Sequence, residues 1–593
     1  MKKYKLILMT AAVVSSMQLL TSCGDDFLEK PALGALSEDI IANQAGVEKL
    51  LIGAYAALDA QGNGSAIAGG GQWEAAPTNW IYGSVAGGEA HKGSDGADQP
   101  AINSIATFTA DPSNGFLNTK WRAMYEGISR TNATLKLLGK AEDIIDADKK
   151  RIEAEARFLR AHYYFELKKM FNMVPWIDET VTDYNQPNNV DIWPKIEADL
   201  QFAMDNLPNT QAQVGRANKW AAAAYLGKAY LYQKKYGEAK GIFDQVITSG
   251  VTANGLKYGL VDKFKDNFDA ANENNQESVF AIQMVANDGT GTIANANQGE
   301  MLNYPYNSPF RCCGFFQPTI DLANSYRTNA QGLPYLDNYN ATPLKHDQGI
   351  ASNEAFTPDT QPVDPRLDWT VGRRGIPFLD WGAHPGQTWI RLQSYAGPYS
   401  SKKHIYWQAT ADKFSDQSSW APGSAINVVL IRYADVLLMA AEAEAQLGNL
   451  SQAQSYVNMV RARAAKPENR VYQYTNPSNP TAGFSSTPAA NYNVAPYPDG
   501  YFAGLGKEQA LEAIYFERKI ELALEGHRFF DLVRWGKAAE ELNSFFSYEG
   551  SLLPDVRGGN FIPGKHDYFP IPQRQIDLQT SGGVSSLTQN PGY

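Results

Sequence analysis

The feature that most constrains this chain is a helix pair that occurs twice. Leu226-Gly227-x-x-Tyr230 is followed by Ala239, Phe243 and Val246, an alternation of small and large residues at helical spacing. Small Gly227 and Ala239 let two helices approach closely, while Tyr230 and Phe243 fill the groove between them. The same offsets return at Ala440-Ala441, Ala453, Val457 and Val460, without the Tyr and the Gly. A unit of this kind cannot bury its apolar face alone and has to stack on neighbours. Two units do not close a continuous core, so other helices must complete the stack.

Those helices are legible from their period. Ile40, Val47, Leu50, Leu51, Ala54 and Leu58 share a face, and helical spacing returns from Phe116 to Leu138 and from Asp146 to Phe171, before Pro175 stops it. It resumes at Val428–Leu447, Ser451–Ala465 and Lys507–Leu542. Two stretches lack it. Residues 61–115 are rich in Gly, Asn, Ser and Asp and read as a long loop, a kind of segment that is uncommon unless it carries function. Between Gly250 and Ile426 the chain is dominated by Gly, Pro, Asn and aromatics, with Trp369, Trp381, Trp389, Trp407 and Trp420 close together. The repeat spacing is that of the tetratricopeptide motif. The expected fold is therefore mainly α, a tetratricopeptide-like helical scaffold with a loop-rich variable lobe inserted. Residues 36–250 form its N-terminal part with the long loop at 61–115, residues 251–426 the lobe, and residues 427–593 the C-terminal part and tail.

The start of the chain carries an address. Lys2, Lys3 and Lys5 precede an apolar run from Leu6 to Leu20, then Thr21-Ser22-Cys23. This is the pattern of an export signal over residues 1–22, and its apolar run is too short to span a bilayer comfortably. Cys23 after small residues resembles a bacterial lipobox, in which the thiol takes a diacylglycerol. Residues 23–35 would then be a tether, holding the chain to the membrane by lipid alone. The acidic pair in Gly24-Asp25-Asp26-Phe27-Leu28-Glu29 resembles a surface-export tag, which places the protein on the outer membrane facing the exterior.

The 593 residues are 44% hydrophobic and 19% charged, a globular composition. Net charge is −11, and with no Lys/Arg-rich run such a chain repels phosphate backbones, so no nucleic-acid partner is expected. Three cysteines exclude a disulfide scaffold. With Cys23 acylated, adjacent Cys312 and Cys313 remain. A vicinal disulfide, which distorts the peptide between them, and two buried thiols beside Phe315 and Phe316 are both open readings.

Several stretches then carry a resemblance. They are Cys23–Leu28, Arg157-Phe158-Leu159-Arg160-Ala161-His162-Tyr163-Tyr164-Phe165, Arg432-Tyr433-Ala434-Asp435-Val436-Leu437-Leu438, and Glu517-Arg518-x-x-Glu521-Leu522-Ala523-Leu524-Glu525-Gly526-His527-Arg528. Pro570-Ile571-Pro572 and Gln589-Asn590-Pro591-Gly592-Tyr593 complete them. In this order, over nearly the whole chain, they resemble the SusD/RagB outer-membrane nutrient-binding lipoproteins. The resemblance implies a tetratricopeptide-like scaffold with a variable lobe, and capture of a glycan, or sometimes a peptide, at the cell surface. It also implies a SusC-like TonB-dependent transporter as the partner that imports the ligand, and no chemistry of its own. A peptide-binding member of the family and a lipid-anchored glycoside hydrolase are the rival readings. The family's ligand contacts lie outside its shared motifs, so no contact is carried over by position.

The residues themselves supply the site candidates. Glu517, Glu521 and Glu525 crowd one helical face as acid/base machinery would, but Arg518, Lys519 and Arg528 are at hand, and ion pairs that hold a helix in a stack are the favoured reading. No two histidines stand at metal-ligand spacing, no Cys-x-x-Cys occurs, and no cofactor is expected. Glu89–Asp98 gathers acids and glycines without the ligand order of a calcium loop, so it reads as a polar turn. Sugar rings stack their CH faces on aromatics and bond their hydroxyls to planar polar groups. Trp73, Asn79, Trp80 and Tyr82 of the first loop, with Trp381, Trp389, Arg391 and Tyr395 of the lobe, are therefore the ligand-binding candidates.

Overall fold

The computed structural model describes residues 38–593 apart from residue 63. The signal sequence, Cys23 and the acidic pair lie outside the described residues. The scaffold helices are α1 (Gln44–Ala56), α2 (Pro100–Ala106), α3 (Gly115–Leu138), α4 (Asp146–Phe171), α5 (Trp193–Asn206), α6 (Lys219–Tyr232) and α7 (Tyr236–Ser249). After the lobe come α8 (Tyr433–Gln446), α9 (Leu450–Ala465), α10 (Lys507–Glu521), α11 (Arg528–Trp535) and α12 (Ala538–Leu552). Strands are short and paired in twos: β1 (Ala90–Gly93) with β3 (Phe315–Pro318), and β2 (Ser278–Ile282) with β4 (Val428–Arg432), both antiparallel.

Successive helices pack on one another as a stack: α1 on α3, then α3, α4, α5, α6 and α7 each on the next. The chain leaves the stack after α7 and rejoins it at α8, which packs on α7, α9 and α10. The close approaches follow from residue size. A Cβ on Gly227 of α6 would stand 2.6 Å from the Phe243 ring of α7, and one on Gly127 of α3 would stand 2.4 Å from the Tyr163 ring of α4. The second of these pairs, and α5 with it, escaped the motif reading, so more helix pairs complete the stack than the two that the repeat shows.

Three elements differ from the sequence expectation. Val428–Leu447 is not one helix: the β-branched run at its start pairs with β2 as β4, and the helix begins at Tyr433. Lys507–Leu542 is broken into α10, α11 and the start of α12, with Gly526 at φ 76° and Gly536 at φ 73° between them. The segment 61–115 is no exposed loop. From Asn79 to Ser94 it is buried throughout, carrying a π-helical turn at Trp80–Val85 and then β1. It enters the core because its backbone can touch the scaffold directly: a Cβ on Gly83 would stand 1.9 Å from the Gly526 carbonyl oxygen.

Charges, too, are gathered at the seam between scaffold and lobe. Arg366 of the lobe donates to Asp364, Glu517 and Glu521, and Arg432 to Glu277, Glu521 and Glu525. Arg461 bonds Glu517, and Arg463 reaches Glu277 and Glu521. Glu517 and Glu521 are fully buried. Their neighbours in sequence face elsewhere: Arg518 pairs with Asp435 and Asp531, Lys519 with Asp321, and Arg528 with Glu541. The cluster is an ion-pair staple, but its cations come from distant segments rather than from the next residue along α10.

Candidate functional site

The structure divides the candidate residues into two groups. Trp80 is 1% exposed, donates its indole N–H to the Gly299 carbonyl at 3.1 Å and packs on Phe315 and Phe316. Tyr82 is buried beside Phe569 with its hydroxyl on the carbonyls of Glu74 and Phe116. Asn79 is buried with its amide on Glu166, and Trp389 is packed between Phe378 and His384. Trp381 is half-buried against Phe310, with its N–H on the Tyr406 carbonyl. Large aromatics here do the packing that regular structure does elsewhere. Trp80, Tyr82 and Trp389 therefore present no open ring face to a ligand, a correction to the sequence expectation.

Trp73, Arg391 and Tyr395 reach the surface, and they do so where the first segment meets the lobe. Trp73 stands edge-on to Trp420, 6.3 Å between ring centroids, and Trp420 is 46% exposed. The next turn along, Arg311, donates to the carbonyl of Ser419 and to the side chain of Gln417. The chain then passes the cis-linked Cys312 and Cys313, whose sulfurs adjoin one another, to Gly314, which lies against Tyr306. Tyr306, 37% exposed, carries the Arg391 guanidinium over its ring at 5.6 Å. Arg391 in turn holds Asp95 at 2.7 Å and Asp98 at 2.6 Å, and the Tyr395 hydroxyl donates to Asn103. The result is a ridge of exposed rings alternating with planar polar groups, resting on a buried framework.

Trp420, Tyr306 and Arg311 were not among the sequence candidates. Trp420 stands in Ser418-Ser419-Trp420-Ala421-Pro422, and a tryptophan with polar and turn-forming neighbours was the available signal. The acidic stretch beside the ridge is matched by protein cations. Lys92 donates its ammonium to the carbonyls of Asp95 and Asp98 while Arg391 holds both carboxylates. Glu89 is buried, with its carboxyl pushed up to about 7 by desolvation, and accepts from the Leu524 amide.

A helical-repeat stack with an inserted irregular lobe and an aromatic ridge at their junction defines a class of scaffolded surface-binding proteins. The chain belongs to the SusD family, whose profile matches residues 276–593, and a profile described as "Starch-binding associating with outer membrane" matches residues 27–231. It is 25% identical to SusD-like protein P2 of Formosa agariphila over the whole of both chains. It is also 28% identical over 206 residues to the starch-binding protein SusD of Bacteroides thetaiotaomicron, covering 33% of this chain and 35% of that one. Among solved structures it superposes on a SusD superfamily protein of Bacteroides vulgatus with a TM-score of 0.66 at 23% identity, covering 93% and 99% of the two chains. On a laminarin-binding SusD-like protein the TM-score is 0.62 at 24% identity, covering 93% and 100%. Among the described residues no helix is long and apolar enough to cross a membrane.

Proposed function

We propose that the chain is a cell-surface glycan-binding protein that captures an oligosaccharide on the ridge and passes it to a SusC-like TonB-dependent transporter in the outer membrane. A lipid on Cys23 would hold it there, and no bond is made or broken by the protein. The observation that carries this reading is the exposed Trp420, standing edge-on to the half-buried Trp73, with exposed Tyr306 and Arg391 further along the same ridge. The rings offer apolar faces to sugar CH groups, and the guanidinium offers a fork of donors to neighbouring hydroxyls. Relatives described as binding laminarin and starch support the ligand class, and the laminarihexaose complex of surface glycan-binding protein A from Bacteroides thetaiotaomicron supports the size.

The test is Trp420→Ala, titrated against a panel of soluble glycans that includes laminarin and starch oligosaccharides, with peptide pools alongside. A stacked ring contributes on the order of 1–3 kcal/mol, so affinity should fall about 5- to 150-fold. The ring is half exposed, so the unfolding midpoint should stay near that of the parent. Binding of a peptide pool with no response to any glycan would replace this reading by the peptide-binding one. Glycan binding untouched by Trp420→Ala would remove the ridge as the site.

A further inference from the structure

The ridge leaves unused a cavity at the seam between scaffold and lobe. Its wall is built from α4 (Phe165, Glu166, Lys169), α6 (Tyr225, Lys228), Asn79 of the first segment, and Asn297, Ser401 and His404 of the lobe. Among the buried polar atoms in that wall without a protein partner are Asn79 Oδ1, Asn297 Oδ1 and Ser401 Oγ. Their residues are 5%, 4% and 1% exposed. The amide of Asn79 is fixed in direction, because its nitrogen donates to the ionised Glu166 carboxylate at 2.9 Å, leaving the oxygen unsatisfied. Unpartnered buried polar atoms are rare, and each costs free energy until something satisfies it.

The lysines of the wall are each paired with a carboxylate, while the buried carboxyl of Glu300, pushed up by desolvation, accepts from the Asn303 amide. Lys169 pairs with Glu166 at 2.6 Å, Lys228 with Asp435 at 3.3 Å and Lys403 with Glu525 at 2.6 Å. An anion would find no free cation, and an ammonium would meet three lysines. The atoms left unsatisfied in the wall include the acceptor oxygens of Asn79 and Asn297. His404 donates Nε2–H to the Asn303 carbonyl, so its other nitrogen keeps a lone pair as well. Phe165, Tyr225, Phe268 and Phe316 supply apolar ring surface to the same space. Its volume is about 90 Å³. At roughly 10–15 Å³ for each water, that is room for a cluster of waters or for one sugar ring, and not for a chain of them.

We propose that this cavity is a second binding site, distinct from the ridge, for a neutral polyol no larger than a single sugar unit. Hydroxyl hydrogens of the ligand satisfy the acceptors on Asn79 and Asn297, the Ser401 hydroxyl adjusts to either role, and the aromatic wall covers the carbon skeleton. A bound polyol adds a bridge between α4, α6 and the lobe beside the direct contacts that Phe158 and Tyr225 make with Phe280.

The test uses the detergent-solubilised full chain and three probes, glycerol, D-xylose and D-glucose, followed by calorimetric titration and by saturation-transfer NMR of the probe. Thermal shift is not the readout, since excluded polyols raise midpoints without binding. At the binding energy per atom usual for small ligands, at least one probe should saturate with a Kd on the order of millimolar. Asn297→Leu, which fills the space, and Ser401→Ala, which removes an unpartnered hydroxyl, should each weaken it tenfold or more while leaving the midpoint unchanged or raised. Trp420→Ala should leave it intact. No saturable binding by any of the three probes overturns the proposal, leaving a water-filled cavity. So does binding that survives Asn297→Leu and is lost in Trp420→Ala, which would place the polyol on the ridge.

Discussion

Arg432 and Arg391 each tie together stretches of chain that are far apart in sequence, yet their surroundings give them different uses. Arg432 is 2% exposed at its side chain and is held by Glu277, Glu521 and Glu525 in the interior. Arg391 is 32% exposed, and its partners Asp95 and Asp98 are 27% and 29% exposed. In the interior, no water can replace a lost partner, so every member of the cluster is fixed by the others. At the surface, water takes a partner's place at little loss, so the guanidinium can let go of Asp98, as the proposed glycan contact requires. The same pairing of residue types is a staple in one place and a set of available donors in the other. The three predictions that follow press on that difference.

The largest effect should come from the staple. Glu521→Gln keeps the volume but removes a charge on which Arg366, Arg432 and Arg463 all converge. Breaking a buried pair by removing one partner costs about 3–5 kcal/mol, and chemical denaturation should show a loss of that size. Acid should act on the same groups. Burial pushes the Glu521 carboxyl up, but Arg463, Arg432 and Arg366 outweigh it and hold the carboxyl well below its ordinary 4.5; Glu525 is held down by Arg432 and Lys403 in the same way. The folded protein therefore keeps these groups ionised after the unfolded chain has begun to take up protons. Their contribution is complete above about pH 4.5 and is lost as the pH falls below it. A Gln variant within 1 kcal/mol of the parent at neutral pH would show that the cluster is not what holds the seam.

An intermediate effect should appear at the other end of the pH scale. His91 of β1 is fully buried, with Nε2 2.9 Å from Glu549 of α12 and Nδ1 3.5 Å from Asp555. Burial alone would lower its affinity for a proton, but the carboxylates of Asp555 and Glu549 overcome this and raise the pKa from 6.5 to about 10. A raised pKa gives stability that is complete below pH 6.5 and is lost as the pH rises through about 10. The charged hydrogen bond is worth on the order of 1.5–3 kcal/mol. Denaturation profiles should fall over that window, and His91→Gln should start lower at neutral pH and fall less. A parent profile flat up to pH 10 would remove the charged pair that fastens the first segment to the C-terminal scaffold.

Both staples bear on how much could be read from the sequence. The stack was legible wherever small and large residues alternate at helical spacing, as at Gly227 and Phe243, because there the local pattern is the packing rule. The first segment was misread because its burial depends on a contact between Gly83 and Gly526, which only the folded chain brings together. For the same reason Glu517 and Glu521 could be seen to need cations, while the identity of those cations could not be seen. Among the aromatics, composition located the segments that carry the exposed rings without saying which rings those are. A tryptophan in an irregular segment can fill a core, as Trp80 does, or stand half in water, as Trp420 does, and period gives no help where there is no regular element.

The smallest effect on stability should come from the ridge, and there the effect on binding should be largest. Arg391→Ala removes exposed pairs with Asp95 and Asp98, and such pairs are worth about 0–1 kcal/mol. The midpoint should therefore barely move. Asp95 keeps the amides of Ala97 and Asp98, and the carbonyls of Asp95 and Asp98 keep Lys92, so the turn stays closed without the guanidinium. Affinity for the glycan that the parent binds should fall about tenfold or more, as expected when a charged donor to a ligand is lost. Arg391→Lys separates charge from geometry. The ammonium can still sit near Asp98, but it lacks the planar fork that reaches two neighbouring hydroxyls, so it should restore the midpoint and only part of the affinity. Lys restoring affinity in full would make the position a simple positive charge. Ala lowering the midpoint by as much as Glu521→Gln, with affinity unchanged at equal folded fraction, would make Arg391 a staple like Arg432 and erase the distinction between the two clusters.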